Sequence, residues 1–168
     1  MKLKDLLKNV QDVELTPEQE KQIKDYLGIK ESKKFVPNYG DIYYYIPSDG
    51  YILETVYCKN HTPDRFRLVM GNCFKTKEEA EFTLEKIMVY QELKQFADEN
   101  NGRPIEWNKL NVENYYIYLS HDDNILLVSD RWSCQDLGQI YFSSEELAKQ
   151  AIAKVGEDRI KKYLFGVE

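Results

Sequence analysis

One pattern occurs twice in this chain, and it restricts the fold more than any bulk property does. The stretch FKTKEEAEFTLEKI, from Phe74, matches FSSEELAKQAIAKV, from Phe142, at a constant offset of 68 residues (142 − 74). Phe faces Phe, Thr76 faces Ser144, Glu78 faces Glu146, Ala80 faces Ala148, Leu84 faces Ile152 and Lys86 faces Lys154. Both stretches open with hydroxyl and acidic residues in capping positions and continue as an amphipathic helix. A tyrosine-rich, strand-like run lies upstream of each, at Tyr43-Tyr44-Tyr45-Ile46 and at Tyr115-Tyr116-Ile117-Tyr118-Leu119. Internal duplication explains the set together. Convergence on a common strand–strand–helix pattern is the other reading.

The periodicity predicts a meander before each helix. In the first unit, strands at Tyr43–Ile46 and Tyr51–Tyr57 flank the turn Pro47-Ser48-Asp49-Gly50, and a third strand is expected at Arg65–Met70. The helix from Thr76 runs to Asn101-Gly102; its apolar residues cover more than one side, which predicts a helix sandwiched between elements. In the second unit, strands are expected at Tyr115–Leu119, Ile125–Val128 and Gln139–Phe142. A helix follows from Ser144, stopped by Gly156, and then a short helix over Arg159–Phe165. Ahead of both, Leu3, Leu6, Leu7 and Val10 form one helical stripe, and Thr16-Pro17-Glu18-Gln19 opens a second helix.

The expected fold class is therefore α+β: two tandem β-meander-plus-helix (βββα) repeats preceded by an N-terminal helical segment. The division is 1–34 for the N-terminal helices and linker, 35–104 for the first unit with its long helix, and 105–168 for the second with the C-terminal helices. A three-stranded meander has an apolar face that its helix can cover. Whether the two units share one sheet is left open by the sequence.

Charge bears on partners. The 23 basic and 29 acidic residues give a net charge of −6, the wrong sign for a protein living on phosphate contacts. Seven acids and one base, Arg131, fall between Glu113 and Glu146, so that segment alone carries 1 − 7 = −6. The three cysteines form no disulfide framework, and no signal-like or membrane-spanning apolar run occurs. Reduced thiols in a cytoplasm are the expectation.

Motifs for chemistry are sparse. Cys58 and His61 have ligand-like spacing, but a structural zinc needs four ligands in close pairs, and His121 is the only other histidine. Cys134 lies between Ser133 and Gln135; a nucleophile there would need a base, for which His121 is the nearest histidine in sequence, and a free thiol is the simpler reading. Asp122-Asp123-Asn124 reads as an ordinary turn, lacking the glycine and distal glutamate of a calcium loop. Gly-rich phosphate loops and hydrolase or zincin signatures do not occur. No cofactor, no metal and no catalytic residue is therefore expected.

What remains is recognition. Tyrosines on a sheet could stack bases, but here the second tyrosine strand sits in the most acidic third of the chain, so cross-strand packing is the simpler reading. The partner-binding candidates are Asp122, Asp123, Asp130, Trp132, Asp136, Tyr116 and Tyr118, an acidic and aromatic surface suited to a basic protein. Trp132 is an anchor in this reading and a partly buried indole in the alternative. Nucleic-acid binding through Lys2, Lys4 and Lys8, or Lys30, Lys33 and Lys34, is the second hypothesis.

The strings Tyr43-Tyr44-Tyr45-Ile46, Gly71-Asn72-Cys73-Phe74-Lys75-Thr76-Lys77-Glu78-Glu79-Ala80-Glu81, Ser144-Glu145-Glu146-Leu147-Ala148 and Gly156-Glu157-Asp158-Arg159-Ile160-Lys161-Lys162-Tyr163 resemble a family of small phage and prophage proteins of Gram-positive bacteria. The resemblance covers roughly residues 35 to 168 and carries no catalytic residues. It implies a small acidic accessory protein of a phage or integrated element, in the cytoplasm of a bacterial host; by analogy with other small phage proteins, the expected role is to bind a host protein, as an anti-defence inhibitor of the anti-CRISPR type.

Overall fold

The computed structural model describes Tyr26 and residues 35–167. The expected N-terminal helices at 1–28, Tyr26 apart, and the lysines at 2, 4, 8, 30, 33 and 34 lie outside the described residues. Residues 37–168 belong to one compact unit, a mixed α+β arrangement of four helices and two small antiparallel sheets.

The first sheet pairs β1 (Ile42–Tyr45) with β2 (Leu53–Val56), Tyr43 opposite Thr55 and Tyr44 opposite Glu54. On the free side of β1, Tyr44 exchanges two backbone hydrogen bonds with Phe74, at 3.0 and 2.9 Å. The second sheet has the order β4-β3-β5, with β3 Asn114–Ser120, β4 Ile125–Arg131 and β5 Tyr141–Phe142. The two units thus have separate sheets.

The third strand expected at Arg65–Met70 is instead helix α1, Thr62–Met70. Phe66, Leu68 and Met70 alternate as a strand would, but Phe66, Val69 and Met70 also fall at helical spacing, and a short apolar run fits both periods. The flanks decide. Pro63 in the first turn has a preset φ, and Gly71 adopts φ 75°, a left-handed conformation glycine takes without penalty. The amides of Gly71 and Asn72 then close on the carbonyls of Leu68 and Arg67 at 3.1 and 2.7 Å. In the second unit, the third strand shrinks from Gln139–Phe142 to the two residues of β5.

The capped helices stand where the pattern predicts. Helix α2 (Lys77–Asn100) has Thr76 at its N-cap, the hydroxyl accepting from the Glu79 amide; α3 (Glu145–Val155) has Ser144, accepting from the Leu147 amide. Helix α4 (Glu157–Ile160) follows Gly156 and runs into one π-helical turn, Lys161–Phe165, in place of a continuous short helix. Helix α2 is sealed along one face, and at its first turn Ala80, half a helical rotation from Val89, is fully buried on the other. Val89, Leu93, Phe96 and Ala97 are buried, whereas Ile87 and Met88 are 49% and 43% exposed, so α2 is not sandwiched there.

The main core joins that face of α2 to Ile117 and Phe142 of the second sheet, Ala148, Ala151 and Val155 of α3, and Ile160 of α4. Alanines with 0% exposure at 148 and 151 let α3 approach closely. Arg159 holds α4 to α2, its guanidinium donating to both Glu92 oxygens at 2.9 and 3.0 Å and to Glu85 at 3.4 Å.

Candidate partner-binding face

Strand alternation assigns each side chain of the second sheet to a face. Tyr115, Ile117, Leu126 and Val128 belong to the core side. Their neighbours Tyr116 and Tyr118, with cross-strand partners Ser129 and Leu127, point the other way. That outer face is covered at its β5 end, where Tyr141 is 6% exposed against Trp107, and open toward the β3–β4 turn, where Tyr118 is 36% and Ile125 42% exposed.

The outer face is chiefly aromatic. Tyr116 lies 6.0 Å from Tyr118 and 6.0 Å from Tyr141, and Trp107 meets Tyr141 edge-on at 4.8 Å. Arg131 sits 5.2 Å from the Tyr116 ring. The Tyr116 hydroxyl first, and Asp136 next, hold its guanidinium above the usual arginine range.

Two loops frame the face at the end of β4, and both are fixed. The Asn108 amide donates to the Trp132 carbonyl at 2.9 Å, joining them. The Asp136 amide donates to the Tyr141 hydroxyl at 2.8 Å. Arg103 pins the first loop, donating to Asn114 Oδ1 at 3.1 Å, to the carbonyls of Pro104 and Ser143, and to that of Glu113. Fully buried Asn114 returns a bond to the Glu106 carbonyl at 2.8 Å. Leu110 (82% exposed), Trp132 (55%) and Leu137, fully open, project from these tethered loops. Large apolar side chains held out on fixed backbone are what interfaces use.

The candidates from sequence divide. Tyr116 and Tyr118 share the outer face. Trp132 and Asp136 lie in the adjoining loop, Asp136 paired with Arg131 at 3.5 Å. Asp130 is on the opposite side, across from Tyr115. There the Tyr115 hydroxyl donates to Glu113 at 2.8 Å. That bond, then burial, then the nearby charges of Glu113, Asp130 and Glu145 push its pKa up to about 12. Asp122 and Asp123 occupy the β3–β4 turn at the far end of the hairpin, six residue steps or about 20 Å away. The acids expected on one surface are thus spread over two faces and two ends. Charge counting along the chain carries no information about strand register or face, which is why it grouped them. Trp107, Leu110 and Leu137 were missed; isolated apolar residues in polar loops signal them only once the loops are placed.

In the first unit, Asp64 (1% exposed) is the centre of a buried polar cluster. One oxygen accepts from the Tyr43 hydroxyl at 2.9 Å and Arg67 at 3.1 Å and lies 3.0 Å from His61 Nδ1; the other accepts from the Cys58 amide at 2.9 Å. Arg67 also lies 3.6 Å over the Tyr45 ring. His61 is thereby committed to Asp64, Cys73 is buried, and no group of three or more metal-ligating side chains forms among the described residues. Cys134 is exposed beyond the end of β4, while His121 lies in the turn at the other end of that hairpin.

Comparison with known protein families, curated proteins and solved structures finds no match.

Proposed function

We propose that this protein is a non-enzymatic binding module that takes a basic protein partner on the outer face of its second sheet. The observation carrying this reading is exposed Tyr118 beside half-buried Tyr116 and Trp107, extended by exposed Leu110, Trp132 and Leu137 on tethered loops. Because the acids of the hairpin are spread over both its faces and both its ends, the basic character of the partner rests on the chain's net charge of −6 and not on an acidic patch on this face. The resemblance noted above supplies the context: an accessory protein of a phage or prophage acting in the cytoplasm of its host, with inhibition of a host defence effector of the CRISPR type as its role.

The test is affinity capture from host lysate with the wild type beside Trp132→Ala and Tyr118→Ala. Capture of one basic protein, weakened by either variant and by high salt, supports the reading. Recovery of nothing specific counts against it, and a gel shift with single- or double-stranded probes at physiological salt would move the function to nucleic acid.

We also read the two sheets as copies of one ancestral unit. In support, both have the order second strand, first strand, third segment, with Phe74 beside Tyr44 and Phe142 beside Tyr115. A side-chain amide then serves the residue two positions further along in each: Asn72 bonds the Ile46 amide and carbonyl at 2.8 and 2.7 Å, and Gln139 donates to the Ile117 carbonyl at 3.3 Å. On this reading α1 is an insertion between the second strand and the third segment of the first copy.

A further inference from the structure

On the core side of the second sheet, away from the aromatic face, a cleft of about 260 Å³ opens between α2, the loop before β5 and the π-helical turn. Its floor is the core itself: Leu93, Ile117, Phe142 and Ile160 line it and are 4, 6, 1 and 1% exposed. Leu164 and Phe165 of the π-helical turn form one wall. Such turns are uncommon and concentrate at functional sites. Gly138, at φ 76°, turns the chain on the opposite side, and β5 begins only at Tyr141. The Gln139 side chain therefore bonds the Ile117 carbonyl where a longer strand would have covered it. The cleft exists because the third strand stops short.

The cleft is open on one side, so water can enter it, and its mainly apolar lining favours an apolar ligand over that water. An apolar cavity of about 150 Å³ takes benzene, so 260 Å³ corresponds by proportion to roughly ten carbon atoms. Polarity is confined to three lining side chains, Lys86, Tyr90 and Gln139. Lys86 and Tyr90 lie one helical turn apart on α2. Lys86 is exposed and forms no ion pair among the described residues. An apolar body is favoured by the walls, and a negative head by the one charged group that lines them.

We propose that this cleft binds a small amphipathic carboxylate, with an apolar body of roughly ten carbons against Leu93, Ile117, Phe142 and Leu164 and its head toward the Lys86 ammonium. The site is independent of the partner-binding face, and either can fail without the other.

The experiment is an amide-resolved NMR titration of the full chain with decanoate below its micelle concentration, beside decan-1-ol and decylammonium. Decanoate is expected to give saturable shifts at Tyr90, Ile117, Ile140 and Leu164, and to bind more tightly than decylammonium. Lys86→Gln, an exposed position, should weaken decanoate about two- to five-fold, the range for an exposed ion pair, and leave decan-1-ol unchanged. Ile140→Trp, which fills the cleft, should abolish all binding. Absence of saturable shifts at those amides overturns the proposal, as does equal affinity for decanoate and decylammonium, or an unchanged decanoate affinity in Lys86→Gln. Concentration-dependent shifts at the same amides without ligand would make a second copy of the chain the occupant and overturn it as well.

Discussion

Replacing Asp64 by alanine tests whether the first unit is held by one buried carboxylate. Asp64 accepts from Tyr43, Arg67 and the Cys58 amide and pairs with His61, all between 2.9 and 3.1 Å. Without it the hydroxyl of fully buried Tyr43 loses its acceptor, a cost of about 1–3 kcal/mol, and the Cys58 amide loses its own, about 1 kcal/mol more. Arg67, 24% exposed, reaches water and keeps its own bond to the Tyr43 hydroxyl at 3.0 Å, so the full penalty of an orphaned buried charge does not apply. The expected loss is about 3 kcal/mol, or about 10 °C in Tm for a unit of this size. Asp64→Asn keeps one acceptor oxygen and should lose roughly half as much. Burial alone would raise the Asp64 pKa, yet the Cys58 amide, His61 and the Tyr43 hydroxyl hold it below the usual carboxylate range. A depressed folded pKa stabilises above the unfolded value of about 3.9 and stops doing so as pH falls through the folded value. The gap between wild type and Asp64→Ala should therefore be full at neutral pH and close only in strong acid. Thermal unfolding followed by far-ultraviolet circular dichroism across that range measures it. A variant within about 0.5 kcal/mol of wild type at neutral pH would refute the reasoning, because that is the range of an ordinary surface change.

Three further outcomes follow from the same geometry. Thr76→Ala and Ser144→Ala each remove an N-cap bond and should cost about 1 kcal/mol, adding in the double variant because the caps share no partner; denaturant melts would show it. Tyr43, by burial, and Tyr115, by its bond to Glu113, have pKa values raised to about 12, so in an ultraviolet titration two tyrosines should ionise last. Their raised values stabilise the fold below about pH 10, the unfolded value, and that contribution should fade as pH climbs to about 12, a loss halved in Tyr115→Phe. Arg159→Ala breaks a bidentate bond to Glu92 whose partners are 38 and 41% exposed, so the expected loss is under about 1 kcal/mol and should shrink further in high salt.

Short-range signals were legible in the chain before folding. Thr76 and Ser144, the turn at Pro47–Gly50 and the amphipathic stripe of α3 act within a few residues, so their consequences were readable from spacing. Residues 65–70 show where that ends. Their apolar spacing suits a strand as well as a helix, and the helix prevails with Gly71 closing it and Asp64 anchored on Tyr43, 21 residues earlier. The same limit applies to the candidate site. Tyr116 and Tyr118 were readable as one stripe, but Trp107 and Tyr141 joined them only through strand register and loop tethers, and register sent Asp130 to the other face. Caps, turns and helical stripes belonged to the sequence by itself. Faces, the cleft and the company each side chain keeps were decided by tertiary structure, because they depend on pairings between residues tens of positions apart.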